Sequence, residues 1–221
     1  MDSPDIIRKA FPALTDRQAG QFAQLGDLYA DWNAKINVIS RRDIDNLYVN
    51  HVLHSLSIAA FLGDVMPGTA FMDLGTGGGF PGIPLAIFYP QASFHLIDRI
   101  GKKLKVAADV AAAVGLDNVT FQHGDTGECH DEFDYVVSRA VMPLDRLVKI
   151  AARNVAPGRR EGNRYDNGII CLKGGDLADE SAGVAYPVAE YDLKEIMAPA
   201  VFDTKKLVYV PVGSTKSRRR R

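Results

Sequence analysis

Two different rhythms of apolar and polar positions follow one another along this chain. Up to residue 66, apolar residues recur every three or four positions, most clearly over residues 15–35 and 49–62, which is the spacing of amphipathic helices. From residue 67 onward, short apolar runs alternate with helical patterns. The strands that we expect from these runs are 70–74, 94–98, 119–122, 133–137 and 168–173.

This alternation predicts an α/β fold of the Rossmann-like type. Strands separated by helices form right-handed crossovers, and so build a mostly parallel sheet with helices on both faces. Two last strand-like runs, 186–196 and 206–212, flank a loop with Pro199 and predict a C-terminal antiparallel hairpin. Asp43 is expected to cap a helix. We expect an N-terminal helical extension over 1–66, the Rossmann-like domain over 67–213, and a disordered basic tail over 214–221.

Composition narrows the class of protein only modestly. Hydrophobic residues make up 47% and charged residues 24% of the chain, which is ordinary for a soluble globular protein. No apolar run is long enough for a transmembrane helix, and the first nine residues lack the features of a signal peptide, so we expect a cytoplasmic protein. Cys129 and Cys171 suit neither a metal site nor a disulfide framework, and are expected to be reduced, buried thiols.

The near-neutral net charge of −1 hides an uneven distribution. Arg218 to Arg221 form a basic tail, and the rest of the chain has 22 basic against 27 acidic residues. Proteins that bind nucleic acid through phosphates are usually basic, so such binding here would need clustered cations on one face or a preformed particle. The clusters are Arg41-Arg42, Lys102-Lys103-Lys105, Arg159-Arg160 with Arg164, and the tail; each could equally be a solvated face.

A glycine-rich segment after the first expected strand is the most informative motif. Residues 73–82 read Asp-Leu-Gly-Thr-Gly-Gly-Gly-Phe-Pro-Gly, and glycines at a strand-to-helix turn let the backbone approach a ligand closely. Ligands bind at the carboxyl ends of the strands in doubly wound sheets. Asp98 ends the next strand, about 20 residues further on, where an acid accepts hydrogen bonds from a ribose. The segment therefore predicts a nucleoside-containing cofactor.

Two cofactors fit this pattern at first sight. The spacing of Gly77 to Gly82 matches the dinucleotide fingerprint of nicotinamide-dependent oxidoreductases. Three details favour S-adenosylmethionine instead: Asp73 suits an ammonium group and would repel a pyrophosphate, Pro81 and Pro84 remove backbone N–H donors, and the final hairpin is more typical of methyltransferases. A glycine turn without any ligand is not favoured either, because so many glycines cost backbone entropy with nothing in return.

The segment 73–84 resembles the signature of the RsmG family, also called glucose-inhibited division protein B. These are bacterial methyltransferases of small-subunit ribosomal RNA, and Pro-Gly-Ile-Pro at 81–84 is unusual among methyltransferases generally. The resemblance runs from about residue 33 to 212. Its further matches are Trp32-Asn33 with Lys35 and Asn37, His51 with Ser55, Asp98 with 101–103, and the segments 138–140 and 172–174.

The chain departs from the family pattern in two places. His54 occupies a position where the family often has an acid, and residues 123–128 replace a segment that often holds an arginine and acids. We therefore expect contacts to the adenine to involve backbone groups after the third strand.

The resemblance implies a class I S-adenosylmethionine-dependent enzyme that methylates guanine N7 in 16S ribosomal RNA near the decoding site. N7 carries an in-plane lone pair and no proton, so positioning rather than a general base should dominate catalysis. The expected partner is 16S ribosomal RNA or the small subunit, with no membrane, and the expected state is a monomer. The excess of acids outside the tail favours a substrate that already carries protein.

These considerations give three groups of expected site residues. The cofactor should contact Asp73, Gly75, Gly77, Phe80, Asp98, Thr126, Gly127 and Arg139. Arg139 and Lys173, at the ends of the fourth and fifth strands, should position the target. RNA contacts are expected from His51, Arg41, Lys102 and Lys103. No metal is expected, since His51 and His54 lack a third ligand.

Simpler interpretations stay open. Arg139 and Lys173 could form surface salt bridges, and a helical histidine is more often structural than functional. Trp32 is expected in the core rather than as a stacking platform, and Phe80 is a second candidate for stacking on a base. The open alternatives for the whole protein are a methyltransferase of small molecules or proteins and a non-catalytic assembly factor.

Overall fold

A computed structural model describes residues 2–40, 43–139, 141–197 and 202–214 of the chain. Within these ranges, seven strands form one sheet in the order β3-β2-β1-β4-β5-β7-β6. The strands are β1 (Ala70–Leu74), β2 (Ser93–Asp98), β3 (Val119–His123), β4 (Tyr135–Arg139), β5 (Gly168–Gly174), β6 (Ala189–Asp192) and β7 (Lys205–Val210). The α-helices are α1 (Asp5–Ala10), α2 (Asp16–Lys35), α3 (His54–Leu62), α4 (Gly82–Phe88), α5 (Gly101–Ala113), α6 (Leu144–Ala151), α7 (Ala178–Ala182) and α8 (Leu193–Ile196). Arg41, Pro199 and the arginine tail lie outside the described residues.

The sheet confirms the predicted fold class. Strands β1 to β5 run parallel, and β7 pairs antiparallel with both β5 and β6. The inner strands are buried on both faces because helices cover both sides, as expected for a parallel sheet. This topology brings the carboxyl ends of β1, β2, β4 and β5 to one edge. None of the helices in the described ranges is long and apolar enough to cross a membrane.

Two predicted strand boundaries were wrong, each for a local reason. The run 186–196 forms a strand only over Ala189–Asp192; Leu193 and Ile196, three positions apart, then share one face of a helical turn, and Leu193 is fully buried. The fourth strand begins at Tyr135 rather than Phe133, because Phe133 makes an isolated bridge to Val155.

The N-terminal helices pack into the same hydrophobic cluster as the sheet. Helix α2 starts with a capping box between Thr15 and Gln18. Its buried face includes Phe22 and Tyr29, which belong to the cluster that also holds Phe71 and Phe94 of the sheet. Cys129 and Cys171 are free thiols buried in a second cluster on the other side. The division of the chain at residue 66 stays a prediction.

The predicted helix over 49–62 has an unusual first half. Tyr48–Leu53 is π-helical, and α3 continues from His54. The Asp2 carboxylate accepts hydrogen bonds from the backbone N–H groups of Tyr48 and Val49 at 2.9 and 2.7 Å, so it caps this segment. Asp43 was expected to cap a helix, but it makes no side-chain cap at the following 3-10 turn and instead accepts from Ser40 Oγ. π-Helical turns are rare and occur often at functional sites.

Helix α2 and the segment after it hold the glycine-rich loop from outside. The hydroxyl of Tyr29 donates to the carbonyl of Gly78 at 2.7 Å. A Cβ at Gly78 would lie 2.1 Å from Cγ1 of Val38, which is far too close. Gly78 is therefore required by packing against the N-terminal region, whereas its neighbours Gly77 and Gly79 have positive φ of 57° and 107°.

We predict that Gly78→Ala destabilises the protein by about 1–3 kcal/mol through overpacking. The double variant Gly78→Ala/Val38→Ala should regain most of that loss, because it removes the atom that the new methyl group meets. Urea unfolding measures both changes.

Gly20→Ala is the matched control. Gly20 lies exposed within α2, and a Cβ there meets nothing within 4 Å. This substitution should stabilise the protein by up to about 1 kcal/mol. A Gly78→Ala variant as stable as the parent would contradict the packing argument.

Candidate active site

A cleft opens at the carboxyl ends of β1, β2 and β4, with a volume of about 450 Å³. That volume lies within the range of small-molecule sites. It joins residues that the sequence separates widely: the glycine loop, the ends of β2 and β4, the loop after β3, and the π-helical segment. Of the expected site residues, the lining includes His51, Gly75, Gly77, Phe80, Asp98, Lys103, Thr126 and Arg139.

The backbone of the glycine loop forms one wall of this cleft. Gly75 and Gly77 have positive φ of 72° and 57°, in the left-handed region that favours glycine. A Cβ on Gly75 would lie 2.6 Å from Cγ2 of Val141, so this position also needs glycine for space. The loop thus presents bare backbone to whatever binds in the cleft.

Asp73 fixes this loop from behind. Its Oδ2 accepts hydrogen bonds from Thr76 Oγ1 at 2.6 Å and from the backbone N–H of Gly82 at 2.8 Å. The carboxyl has no exposed surface, and burial raises its pKa to about 7. Its Oδ1 has no hydrogen-bond partner among the described residues. Asp73 is not among the residues that line the cleft, so its expected contact with a cofactor ammonium stays a prediction.

Asp98 lies inside the cleft, where the sequence predicted it. Its two carboxylate oxygens accept 2.7 Å hydrogen bonds from the backbone N–H groups of Gly77 and Ile100. These bonds fix the orientation of the carboxylate, and each oxygen keeps a further lone pair for a ligand. The half-buried position of the side chain allows such access.

The loop after β3 forms the far end of the cleft. Asp125 caps a short 3-10 turn, Thr126–Glu128, by accepting from the N–H of Gly127 at 2.8 Å. Gly124, Asp125 and Thr126 line the cleft, whereas Gly127 does not. The structure thus places Thr126 at the cleft, whereas the next residue, Gly127, lies outside its lining.

Arg139 ends β4 and is held by the π-helical segment. Its guanidinium donates to the carbonyl of Asn50 at 3.2 Å and to Nδ1 of His51 at 2.9 Å, and lies 5.1 Å from the ring centre of Phe80. Burial lowers its pKa to about 10, so it stays protonated at neutral pH. The simple alternative, a surface salt bridge, does not describe this arginine, whose partners are a carbonyl, a neutral ring nitrogen and an aromatic face.

Two histidines adjoin Arg139: His54 is buried and His51 is half-buried. Burial, together with the positive charge of Arg139, lowers the pKa of His51 and of His54 to about 3. Both imidazoles are therefore neutral at physiological pH. The Nε2 atoms of both rings are buried and have no hydrogen-bond partner among the described residues.

Lys173 occupies a neighbouring cavity rather than the main cleft. Its ammonium donates to the carbonyl of Met142 and pairs with the carboxylate of Glu180. The salt bridge that we considered as the simpler interpretation is thus present. The lysine also supports the loop after β4, because Met142 lines the main cleft.

The expected RNA contacts are spread over the molecule. Lys103 lines the cleft next to Asp98, and Lys102 is exposed on the same helix, α5. Arg41 lies outside the described residues. Trp32 packs against the core, and the Nζ atom of Lys35 lies 5.3 Å from the centre of its ring.

Several apolar residues of the cleft were not predicted from the sequence. Ile100 is 51% exposed and Val141 39% exposed, and both line the cleft. Ile100 follows the acid that ends β2 by two residues, and this position alone would have allowed its place at the cleft to be predicted. Val38 and Ile39 also line the cleft, although no local pattern links them to a site more than 30 residues away.

Comparison with known proteins identifies the family to which the chain belongs. Residues 18–183 match the family model GidB, described as rRNA small subunit methyltransferase G. The chain belongs to this family. The resemblance inferred from residues 73–84 is thereby confirmed.

Individual members of the GidB family are similar over nearly their whole length. The chain is 56% identical to the ribosomal RNA small subunit methyltransferase G of Bacteroides thetaiotaomicron, covering 93% of this chain and 98% of that protein. It is 55% identical to the protein of the same name from Phocaeicola vulgatus, covering 95% and 99%. The crystal structure of precorrin-6y C5,15-methyltransferase from Geobacter metallireducens shares the fold, with a TM-score of 0.52 and 10% identity over 79% of this chain and 90% of that one.

The neutral histidines predict a specific acid sensitivity. Below pH 6.5 the unfolded chain takes up protons at His51 and His54, whereas the folded protein does not until about pH 3. The free energy of unfolding should therefore fall as the pH drops, by about 2 kcal/mol for each histidine between pH 7.5 and 5.0. Urea unfolding at pH 7.5 and 5.0 measures this slope, and His54→Gln should reduce it.

His130 provides the control for this measurement. It is exposed, so His130→Gln should keep the pH dependence of the parent. Equal slopes for His54→Gln and the parent would contradict the assignment of His54 as neutral in the folded state.

Proposed function

We propose that this protein transfers the methyl group of S-adenosylmethionine to N7 of a guanine in small-subunit 16S ribosomal RNA, near the decoding site. Membership of the GidB family supports this function. The observation that carries it is one cleft in which a bare glycine loop and Asp98 face a fixed, charged arginine at the end of β4. This arrangement joins a nucleoside-binding half to a half suited to an anionic, aromatic substrate.

The residues of the cleft fit the cofactor. Asp98, already oriented by two backbone N–H groups, would accept from the ribose hydroxyls. The exposed side chain of Ile100 offers an apolar surface for the adenine, and the backbone at Gly124 and Thr126 is available to its polar edge. When bound, S-adenosylmethionine supplies an electrophilic methyl group on a positively charged sulfur.

Asp73 acts in this proposal mainly by holding the loop. It ties Thr76 and Gly82 together, and so sets the path of Gly75 and Gly77 beside the cofactor. An ammonium group close to Oδ1 would give this atom the partner that it lacks and would favour the ionised carboxylate. The places of Gly75, Gly77 and Phe80 in the lining support the proposal that they contact the cofactor.

On the acceptor side, we assign positioning to Arg139 and Lys173. Arg139 uses two of its N–H groups on Asn50 and His51, and keeps others for a phosphate or a base of the RNA. Lys173 acts through the loop after β4, whose Met142 carbonyl it binds. Guanine N7 has no proton to lose before it reacts, so these residues need only hold it in line.

The wider RNA surface is proposed from His51, Lys102, Lys103 and Arg41. The excess of acids outside the arginine tail favours a small subunit that already carries protein as the substrate. Transfer rates on naked RNA and on isolated subunits distinguish the two, and faster transfer to naked RNA would remove this part of the proposal. We propose that the protein acts in the cytoplasm, where a ribosomal substrate is found, and that it acts as a monomer.

Asp98→Ala should weaken cofactor binding. The substitution removes charge-assisted hydrogen bonds that each contribute roughly 1.5–3 kcal/mol, so the dissociation constant for S-adenosylmethionine should rise about tenfold or more. Isothermal titration calorimetry measures it, with Asp98→Asn as the variant that keeps the shape and loses the charge. Unchanged affinity in Asp98→Ala would show that the cofactor lies elsewhere.

Arg139→Ala should separate catalysis from cofactor binding. Loss of the fixed guanidinium should lower methyl transfer to unmodified small subunits by about 100-fold, because misplacement of the reacting groups has effects of that size. The dissociation constant for the cofactor should change by less than tenfold. Transfer of a labelled methyl group measures the rate.

Arg8→Ala serves as the control for charge removal. Arg8 pairs on the surface with Asp16, at the far N-terminal end of the chain, and its loss should leave the rate unchanged. Full activity of Arg139→Ala would exclude the proposed positioning role.

A further inference from the structure

Two cavities beside the main cleft meet at the same pair of residues, His54 and Lys205. The first, of about 330 Å³, reaches the ends of β4 and β5 and shares Val141 and Met142 with the cleft. The second, of about 520 Å³, is lined by the π-helical segment and shares His51 and Arg139 with the cleft. We call the space around His54 and Lys205 the acceptor cavity. Nothing in the mechanism above uses either residue.

His54 carries an unsatisfied acceptor in this cavity. Only 7% of the residue is exposed, and its Nε2 has no hydrogen-bond partner among the described residues. Its other ring nitrogen donates a hydrogen bond to the backbone of Asn50. A neutral imidazole has one N–H and one lone pair, so the lone pair is on Nε2. A buried acceptor without a donor is costly unless a ligand supplies one.

Lys205 supplies the complementary group. It begins β7, and the antiparallel pairing of that strand with β5 brings it beside Gly174 at the carboxyl end of β5. Its ammonium is exposed and has no ion pair among the residues that the structure describes. The ring of Phe202, whose centre is 5.6 Å from that of His54, adds an aromatic wall.

We propose that the acceptor cavity receives the target guanine by its Watson–Crick edge, with Lys205 donating to O6 and Nε2 of His54 accepting from N1–H. This inference rests on the proposed function. Adenine presents the opposite polarity, a donor at N6 and an acceptor at N1, so the pair selects guanine. O6 lies between N1 and N7 on the base, so N7 then points away from His54, toward the main cleft that Arg139 and Met142 border.

The charged residues that line the two cavities are Asp43, Arg139, Lys173, Glu180 and Lys205. Lys173 and Glu180 pair with each other, and Asp43 accepts from Ser40 and Asn50. The remaining cations, Arg139 and Lys205, lie on the sides where the base has its acceptor atoms, N7 and O6, or where a phosphate approaches. The neutral histidine lies where the base has a donor. A cation at His54 would repel N1–H, and burial among Arg139 and Lys205 keeps this ring uncharged.

The test measures labelled methyl transfer to small ribosomal subunits that lack the native modification, at saturating S-adenosylmethionine. His54→Leu and Lys205→Met should each lower kcat/KM for the subunit by tenfold or more, while the dissociation constant for the cofactor stays within twofold. His54→Gln should recover most of the activity, because its Oε1 offers an acceptor near the place of Nε2. Lys194→Met, an exposed lysine of α8 outside the lining, should behave as the parent.

Each outcome decides between the claims. Transfer at the parent rate by His54→Leu and Lys205→Met would overturn the inference, and so would a His54→Gln variant as impaired as His54→Leu, since packing alone would then explain the loss. If His54→Leu fails to fold, Lys205→Met and His54→Gln still give the answer, because Lys205 is exposed. Absence of label with the parent protein would overturn the proposed function itself, which the other outcomes leave intact.

Discussion

A single buried carboxylate, that of Asp73, holds the shape on which the site depends. By accepting from Thr76 and from the N–H of Gly82, it closes the glycine loop onto the first turn of α4. The loop is then fixed from two further sides, by Asp98 at Gly77 and by Tyr29 at Gly78. A glycine-rich backbone has high conformational freedom. These hydrogen bonds fix the conformation of the loop before a ligand binds, so that less conformational entropy is lost on binding.

The N-terminal region lines the candidate active site and also contributes to the hydrophobic core. Val38 and Ile39 line the cleft, and the π-helical segment supplies both hydrogen-bond acceptors that orient Arg139. The arginine at the end of β4 therefore takes its direction from the first third of the chain. The N-terminal region and the sheet share one cluster of buried residues, and this packing fixes the two parts of the cleft relative to each other.

The sequence allowed the sheet, the glycine loop and the places of Asp98 and Arg139 at the cleft to be predicted, because these depend on local pattern and on the rule that sites form at the ends of parallel strands. It did not reveal what depends on long-range packing. The burial of Asp73 behind its loop, the pairing of Lys173 with Glu180, and the meeting of His54 with Lys205 about 150 residues later all require the folded chain. The α8 turn and the π-helical start at Tyr48 depend likewise on which faces become buried.

The antiparallel strand β7 has a consequence for how this protein is made. Strands β1 to β5, with the glycine loop, Asp98 and Arg139, are complete by Gly174, whereas Lys205 and the wall beside it are added only with the last strand. During translation, the strands that carry Asp98 and Arg139 are therefore synthesised before the strand that would close the proposed acceptor cavity. β5 is also left as an unpaired edge in the meantime.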